Sequence, residues 1–151
     1  IKNFGLLDRH LGVMIPLVAF NAPMMLLMIK NYFDTIPDEL LESARIDGAS
    51  SFCIWLEFMV PLSGPIIANV LVLTFIYSWN DYLVPLLVMR SEENYTVTLA
   101  AQYFVSSTYQ SPADVARIYA VMMLLTLPSI IVYLFSQKFL VGGITSGSVK
   151  G

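Results

Sequence analysis

The sequence is short of charge, and it has almost no histidine or cysteine. Only 13% of its 151 residues are Asp, Glu, Lys or Arg, where soluble domains carry roughly a quarter. A single cysteine, Cys53, excludes an intrachain disulfide and a Cys-rich metal cluster. A single histidine, His10, supplies neither a Ser-His-Asp set nor a carboxylate–histidine cluster, so no catalytic residues and no metal site are expected. No Gly-rich loop ending in Lys-Ser or Lys-Thr occurs, which leaves the chain without a phosphate cradle of its own. Basic excess is missing too: the net charge is −3 and the pI about 4.9. Nucleic-acid partners, which require basic clusters, are therefore not expected. There is no initiator methionine, and the end is the small polar run Thr145 to Gly151. The chain reads as the C-terminal part of a longer protein, with no leader to interpret.

What is present is apolar. Hydrophobic residues make up 57% and the mean hydropathy is +0.71. Three stretches without charge, Leu11–Ile29, Phe58–Asn80 and Ile118–Gln137, each approach the ~20 residues a helix needs to cross a bilayer core. They predict an all-α, polytopic transmembrane helix bundle with about three spans, near 11–30, 62–80 and 118–137. Prolines punctuate the spans at Pro16, Pro23, Pro61, Pro65 and Pro128. Each removes a backbone donor, which a multi-helix bundle accommodates better than a lone anchor does. Trp79, Tyr82 and Tyr119 lie at span ends, where amphipathic rings favour the headgroup region.

A fourth uncharged stretch, Asn94–Ala113, holds Thr96, Thr98, Gln102, Ser106, Ser107, Thr108, Gln110 and Ser111. It is too polar for lipid, and predicts a long external loop over 81–117 with some helix around Leu99–Val105. A loop of that length carrying Tyr95, Tyr103, Phe104 and Tyr109 is more often a contact surface than an idle connector. Orientation cannot be read from charge. Lys30, Arg45, Lys138 and Lys150 fall on one side, and Lys2, Arg9, Arg90 and Arg117 on the other.

Between the first two spans lies the only charge-dense segment, 31–61. Asp34, Asp38, Glu39, Glu42, Asp47 and Glu57 stand there against Arg45 alone. Thr35 as cap, Pro37 in the first turn, and Asp38 and Glu39 at the positive end of the dipole predict a short helix. Gly48 ends it in a left-handed conformation. Ile36, Leu40 and Ala44 give it one apolar side, and the small Ser43 and Ala44 permit close approach. A second helix starts at Ser50 or Ser51 and carries Phe52, Trp55, Leu56 and Met59 to the turn at Pro61. Two readings remain for this segment: a handle gripped by another protein, or a helix lying on lipid headgroups. Its acidity weighs against anionic lipid.

Within this segment Glu42-Ser43-Ala44 is followed after three residues by Gly48, and after nine more by Phe58-Met59-Val60-Pro61. This resembles the EAA loop of ABC-importer permeases, whose pattern is Glu-Ala-Ala, three residues, Gly, nine residues, Ile-x-Leu-Pro. The departures, Ser43 for Ala, Phe58 for Ile and Val60 for Leu, keep size and polarity close. Trp79-Asn80-Asp81-Tyr82 with Pro85, and the tail Gly143-x-x-x-Gly147-x-Val149-Lys150-Gly151, resemble carbohydrate-uptake permeases, in particular the smaller permease of maltose-type importers. The resemblance implies a multi-pass inner-membrane protein with a cytoplasmic coupling-helix loop. It also implies four partners: an ATPase dimer that binds the ATP, a second permease subunit, an extracytoplasmic solute-binding protein and membrane lipid. Coupling to the ATPase would fall to Glu42, Ser43, Ala44, Asp47, Gly48 and Pro61. Asn69, Tyr77 and Asn80 recur near helical spacing and either line a translocation path or hydrogen-bond between helices. Tyr95, Tyr103 and Phe104 are the candidates for binding-protein contact. Rival expectations are an importer of a non-sugar solute, and a membrane anchor that recruits a cytosolic partner. A membrane-embedded hydrolase lacks a catalytic set.

Overall fold

Apolar residues without strand-period alternation leave helix as the way to satisfy the backbone in lipid. A computed structural model describes residues 2–108 and 112–145, giving the backbone alone for Pro112, Ala113 and 138–145. Among the described residues the fold is all-α, with no strand. After a 3₁₀ turn at Lys2–Phe4 come α1 (His10–Phe33), α2 (Asp38–Ile46), α3 (Ser51–Cys53) and α4 (Val60–Leu62). A π-helical turn, Ile54–Met59, joins α3 to α4 without a break. Then follow α5 (Gly64–Asn80), α6 (Leu83–Val88), a second 3₁₀ turn at Glu92–Asn94, α7 (Val97–Thr108) and α8 (Pro112–Thr145).

Two stretches, His10–Phe33 and Asp114–Gln137, are long and apolar enough to cross a membrane. The pair Ser51–Leu62 and Gly64–Asn80, bent by 61°, meets the same length and composition test when counted as one broken span. By itself α5 has 17 residues, or about 26 Å at ~1.5 Å per residue, somewhat short of the ~30 Å core. The bend falls at Ser63, after Pro61 and before Pro65. Both prolines lack the N–H that would carry the helical ladder across. Hydrogen bonds around the bend are made locally. Ser63 donates to Met59 through its hydroxyl at 2.5 Å and its N–H at 3.0 Å. The Tyr32 hydroxyl donates to the Leu62 carbonyl at 2.8 Å.

The chain divides into two compact units. One comprises Thr74–Leu134 with the described residues up to Ala22, the other Pro23–Leu73 with the described residues from Phe135 onward. In the first, Val13, Val88, Met89 and Leu99 form a buried cluster, with Leu17, Val84 and Tyr95 packed on it. The stretch 81–117 is thus not the long loop its polarity suggested. It carries α6, α7 and the start of α8. The physical reason is that α7 buries Leu99 and Ala101, while Ser106 and Ser107 satisfy their hydroxyls on Tyr103 and Phe104 carbonyls one turn back. A helix therefore tolerates polar residues that read as loop.

Candidate functional site

The acidic segment is built around α2. Thr35 does not cap it: its hydroxyl donates to the Tyr32 carbonyl at 2.7 Å, closing the end of α1. The N-cap position is Pro37, which makes no side-chain capping bond. Asp38 and Glu39 lie in the first turn, where the dipole favours acids. The other end is closed firmly. Gly48 takes φ +85°, its N–H reaches the Arg45 carbonyl at 3.0 Å, and the Ala49 N–H reaches the Ala44 carbonyl at 3.0 Å. These two bonds and the left-handed residue define a Schellman motif, which satisfies carbonyls otherwise left open. Ser50 then caps α3 by accepting from the Cys53 N–H at 3.2 Å.

The faces of α2 differ from the sequence expectation in one respect. Ala44 is only 4% exposed. Helix α2 packs on the π-helical turn, and the buried residues there are Ala44 and Ile54. The small size of Ala44 therefore serves packing inside the chain and is not offered outward. Ser43 is exposed, and its hydroxyl donates to the Leu40 carbonyl at 2.9 Å, so serine in place of alanine leaves nothing unsatisfied. Glu42, Asp47, Gly48 and Pro61 are exposed. Among the described residues Glu42 is in no ion pair. Sequence reading missed Ile46, an apolar residue 85% exposed at the end of α2. Its place in the last turn, beside Asp47 and Gly48, is the signal that was available.

The Trp-Asn-Asp-Tyr stretch ends α5, and three of its four residues fasten neighbours. The Trp79 indole donates to the Leu125 carbonyl at 3.0 Å, beside Pro128 in α8. The Trp79 carbonyl accepts from the Thr98 hydroxyl at 2.6 Å. Asn80 donates to the Ile76 carbonyl at 2.8 Å and lies 3.5 Å from the Ser129 hydroxyl. Asp81 accepts from the Val84 N–H at 3.2 Å, capping α6. The polar atom of Trp79 is thus spent on α8. Tyr77 is exposed. Asn69 is 5% exposed, and its Oδ1 has no hydrogen-bond partner. One helix carries all three path candidates, yet each has a different environment: engaged, exposed and unpaired.

A buried acceptor without a partner costs stability, on the order of 1–3 kcal/mol. Asn69→Leu, which keeps the branched shape without the polar atoms, is therefore expected to melt no lower than the wild type in detergent, with a stability gain of up to about 1 kcal/mol. A clear drop in melting temperature would show that the amide is paired.

Around 88–107 the first unit forms a second constellation. The Asp8 carboxylate accepts from the Arg90 N–H at 2.8 Å, the Ser91 N–H at 2.9 Å and the Ser91 hydroxyl. The hydrogen bonds from Ser91 and Arg90 hold the Asp8 carboxyl well below the usual carboxylate range. The Tyr95 and Tyr103 rings pack against each other, tilted by 39°, with centroids 4.9 Å apart. Their hydroxyls are hydrogen-bonded, which, with partial burial and the charges of Tyr103, Glu92 and Asp8, pushes the Tyr95 phenol up to about 12. Phe104 is exposed beside them. All three binding-protein candidates thus line one cavity. Tyr109 and the tail from Ser146 to Gly151 lie outside the described residues. Asp114 lies 3.3 Å from the Arg117 guanidinium. Among the described residues no group of three or more His, Cys, Asp or Glu side chains could hold a metal ion.

Comparison with known proteins places this geometry. A family model described as "Binding-protein-dependent transport system inner membrane component" matches residues 5–146. An inner membrane ABC transporter permease protein of Escherichia coli (strain K12) is 33% identical over 152 residues, covering 100% of this chain and 53% of that protein. An sn-glycerol-3-phosphate transport system permease protein of Yersinia pestis bv. Antiqua is 37% identical, covering 95% and 50%. An arabinooligosaccharides transport system permease protein of Bacillus subtilis (strain 168) is 35% identical, covering 97% and 50%. The chain spans about half the length of the curated relatives it matches.

Proposed function

The chain belongs to the family of inner-membrane components of binding-protein-dependent transport systems, and from that premise we propose that it acts in an ATP-driven importer of a polyhydroxylated solute, a sugar or sugar-like molecule. The cargo class rests on relatives named for arabinooligosaccharides and for sn-glycerol-3-phosphate. In this reading the chain is not an enzyme. ATP is bound by a cytoplasmic ATPase dimer, a second permease subunit completes the path, and an extracytoplasmic binding protein delivers the solute.

The observation that supports coupling through α2 is its construction. It is a nine-residue helix, closed at one end by a Schellman motif, seated on the chain by Ala44, and presenting Glu42, Ser43, Ile46, Asp47 and Gly48 outward. A short rigid helix transmits a displacement that a slack loop would absorb. Closure of the ATPase dimer shifts the membrane helices only through contacts that differ between the two states. The unpaired Glu42 carboxylate is suited to a basic group on the ATPase. The bend at Ser63 lies between this handle and α5, so motion of α2 and the π-helical turn reaches the span at its least regular point. Such π turns recur at functional sites.

With α2 on the cytoplasmic side, the residues after α5 lie across the membrane. The cavity of Tyr95, Tyr103 and Phe104 then faces the binding protein. Deleting 96–107 would remove the buried Leu99 and so test folding rather than contact; point substitutions are the usable probes. For coupling, Glu42→Lys is expected to lose ATP-dependent uptake in whole cells while its membrane level stays that of the wild type. Undiminished uptake by Glu42→Lys would sink the assignment.

A further inference from the structure

On α7, Ala100, Tyr103, Phe104 and Ser107 follow the i, i+3, i+4, i+7 spacing of a single helical face. The buried residues of α7, Leu99 and Ala101, flank this stripe on its two sides and leave its middle open. Tyr103 is 47% and Phe104 39% exposed. Together with Glu92 and Tyr95 these four residues bound a cavity of about 360 Å³. Two ring surfaces are thus left open beside an acidic residue.

The chemistry of the wall narrows what fits. Of its residues only Glu92 carries a charge, and among the described residues it is in no ion pair. Arg90, the base nearest in sequence, is likewise exposed and in no ion pair. The Tyr95 and Tyr103 hydroxyls are engaged with one another, and the Ser107 hydroxyl donates to the Phe104 carbonyl at 3.1 Å. A free sugar ring would find acceptors in the Glu92 carboxylate and the hydroxyl lone pairs, but the Ser107 donor is already committed. An apolar side chain would desolvate that carboxylate without pairing it. A cation suits both parts: ring faces attract it through their quadrupoles, and the carboxylate neutralises it.

We propose that the cavity of Glu92, Tyr95, Tyr103, Phe104 and Ser107 receives a basic side chain, Lys or Arg, of the extracytoplasmic solute-binding protein. The inference rests on the importer reading above and adds the chemistry by which that partner is recognised. The unpaired Glu92 is the attractive charge, the Tyr95–Tyr103 pair supplies a preformed wall, and Phe104 closes the side.

The test uses the transporter assembled with its ATPase and partner permease in nanodiscs, and the solute-binding protein that supports uptake through the wild-type chain. Affinity is measured at low and high salt. Glu92→Gln and Phe104→Leu are each expected to weaken binding about tenfold, chiefly through faster dissociation. Glu92→Gln is expected to flatten the salt dependence. Glu93→Gln, exposed and outside the cavity wall, is expected to bind as the wild type does. Glu92→Lys is expected to lose binding and to regain it when one basic residue of the binding protein is reversed to Glu. Unchanged affinity in Glu92→Gln with uptake intact overturns the cation seat and leaves the importer reading standing. Weakening in Phe104→Leu alone overturns it in favour of an apolar contact. Quenching of tyrosine fluorescence by free sugar, lost in Phe104→Leu, overturns it in favour of a sugar subsite. If no binding protein supports uptake, the importer reading fails and the inference with it.

Discussion

Gly48→Asp is expected to strip the ATPase from the purified complex, and to lower uptake roughly 30-fold or more, the scale of a ~2 kcal/mol hot spot. Membrane levels are expected to stay normal. The argument separates two effects of a side chain at this position. Gly48 sits at φ +85°, so any L-residue is strained there, by about 1–2 kcal/mol for most types and by less for Asn and Asp, which tolerate left-handed backbone. A Cβ at Gly48 meets nothing within 4 Å, so the chain itself does not object to its bulk. If backbone strain alone mattered, Gly48→Ala would be the worst variant and Gly48→Asn nearly harmless. If the bare glycine surface is what the ATPase lies against, Asn and Asp fail at least as badly as Ala. The second ranking is the expected one, read by co-purification of the ATPase from mild detergent. Wild-type recovery of ATPase with Gly48→Asn would assign the glycine to helix closure alone.

Gly12→Ala is expected to lower the apparent melting temperature by about 10 °C, from a cost near the ~3 kcal/mol upper end of overpacking. A Cβ on Gly12 would stand 2.1 Å from the Leu6 carbonyl oxygen and 2.9 Å from Val88 Cγ1. Val88 has rotamers to try; the Leu6 backbone does not. The turn before α1 would have to move, and it is held. The Asp8 N–H donates to the Val88 carbonyl at 2.9 Å, its carboxylate takes three donors from Arg90 and Ser91, and its carbonyl accepts from Asn94 at 3.0 Å. Asp8→Ala releases that anchor, so the double variant is expected to lose less than the sum of the single losses, the coupling a thermal-shift cycle measures. The same carboxyl fixes a pH dependence. Its folded value lies below the unfolded one of about 3.9, so its contribution is complete above that value and is lost as the pH falls below it. Melting of this junction is thus expected to be flat between about pH 5 and 8. A melting temperature that climbs across that range in the wild type and not in Asp8→Asn would contradict the pairing.

The sequence by itself determined what depends on composition and short spacing. Charge-free runs near span length require helices in lipid, because nothing else satisfies a backbone there. The placement of Gly48 ten residues after Asp38 predicts where α2 closes, since capping is a matter of four or five neighbouring residues. The EAA-type spacing, 42–44, 48 and 58–61, is also local, and so the family was legible from it.

Tertiary structure decided what depends on partners far along the chain. No local pattern says that Trp79 donates to Leu125 across 46 positions, or that Asp8 holds Ser91 across 83. Within the polar stretch 94–113, helix runs over Val97–Thr108, where Leu99 found a core to enter. Ala44 turned inward because the π-helical turn was there to receive it, and Thr35 closed α1 instead of opening α2. Asn69 and Asn80 are alike in type and helical phase, yet one has partners and the other none. Which residues a side chain meets is a property of packing between distant segments, whereas periodicity reports only which side of its own helix it occupies.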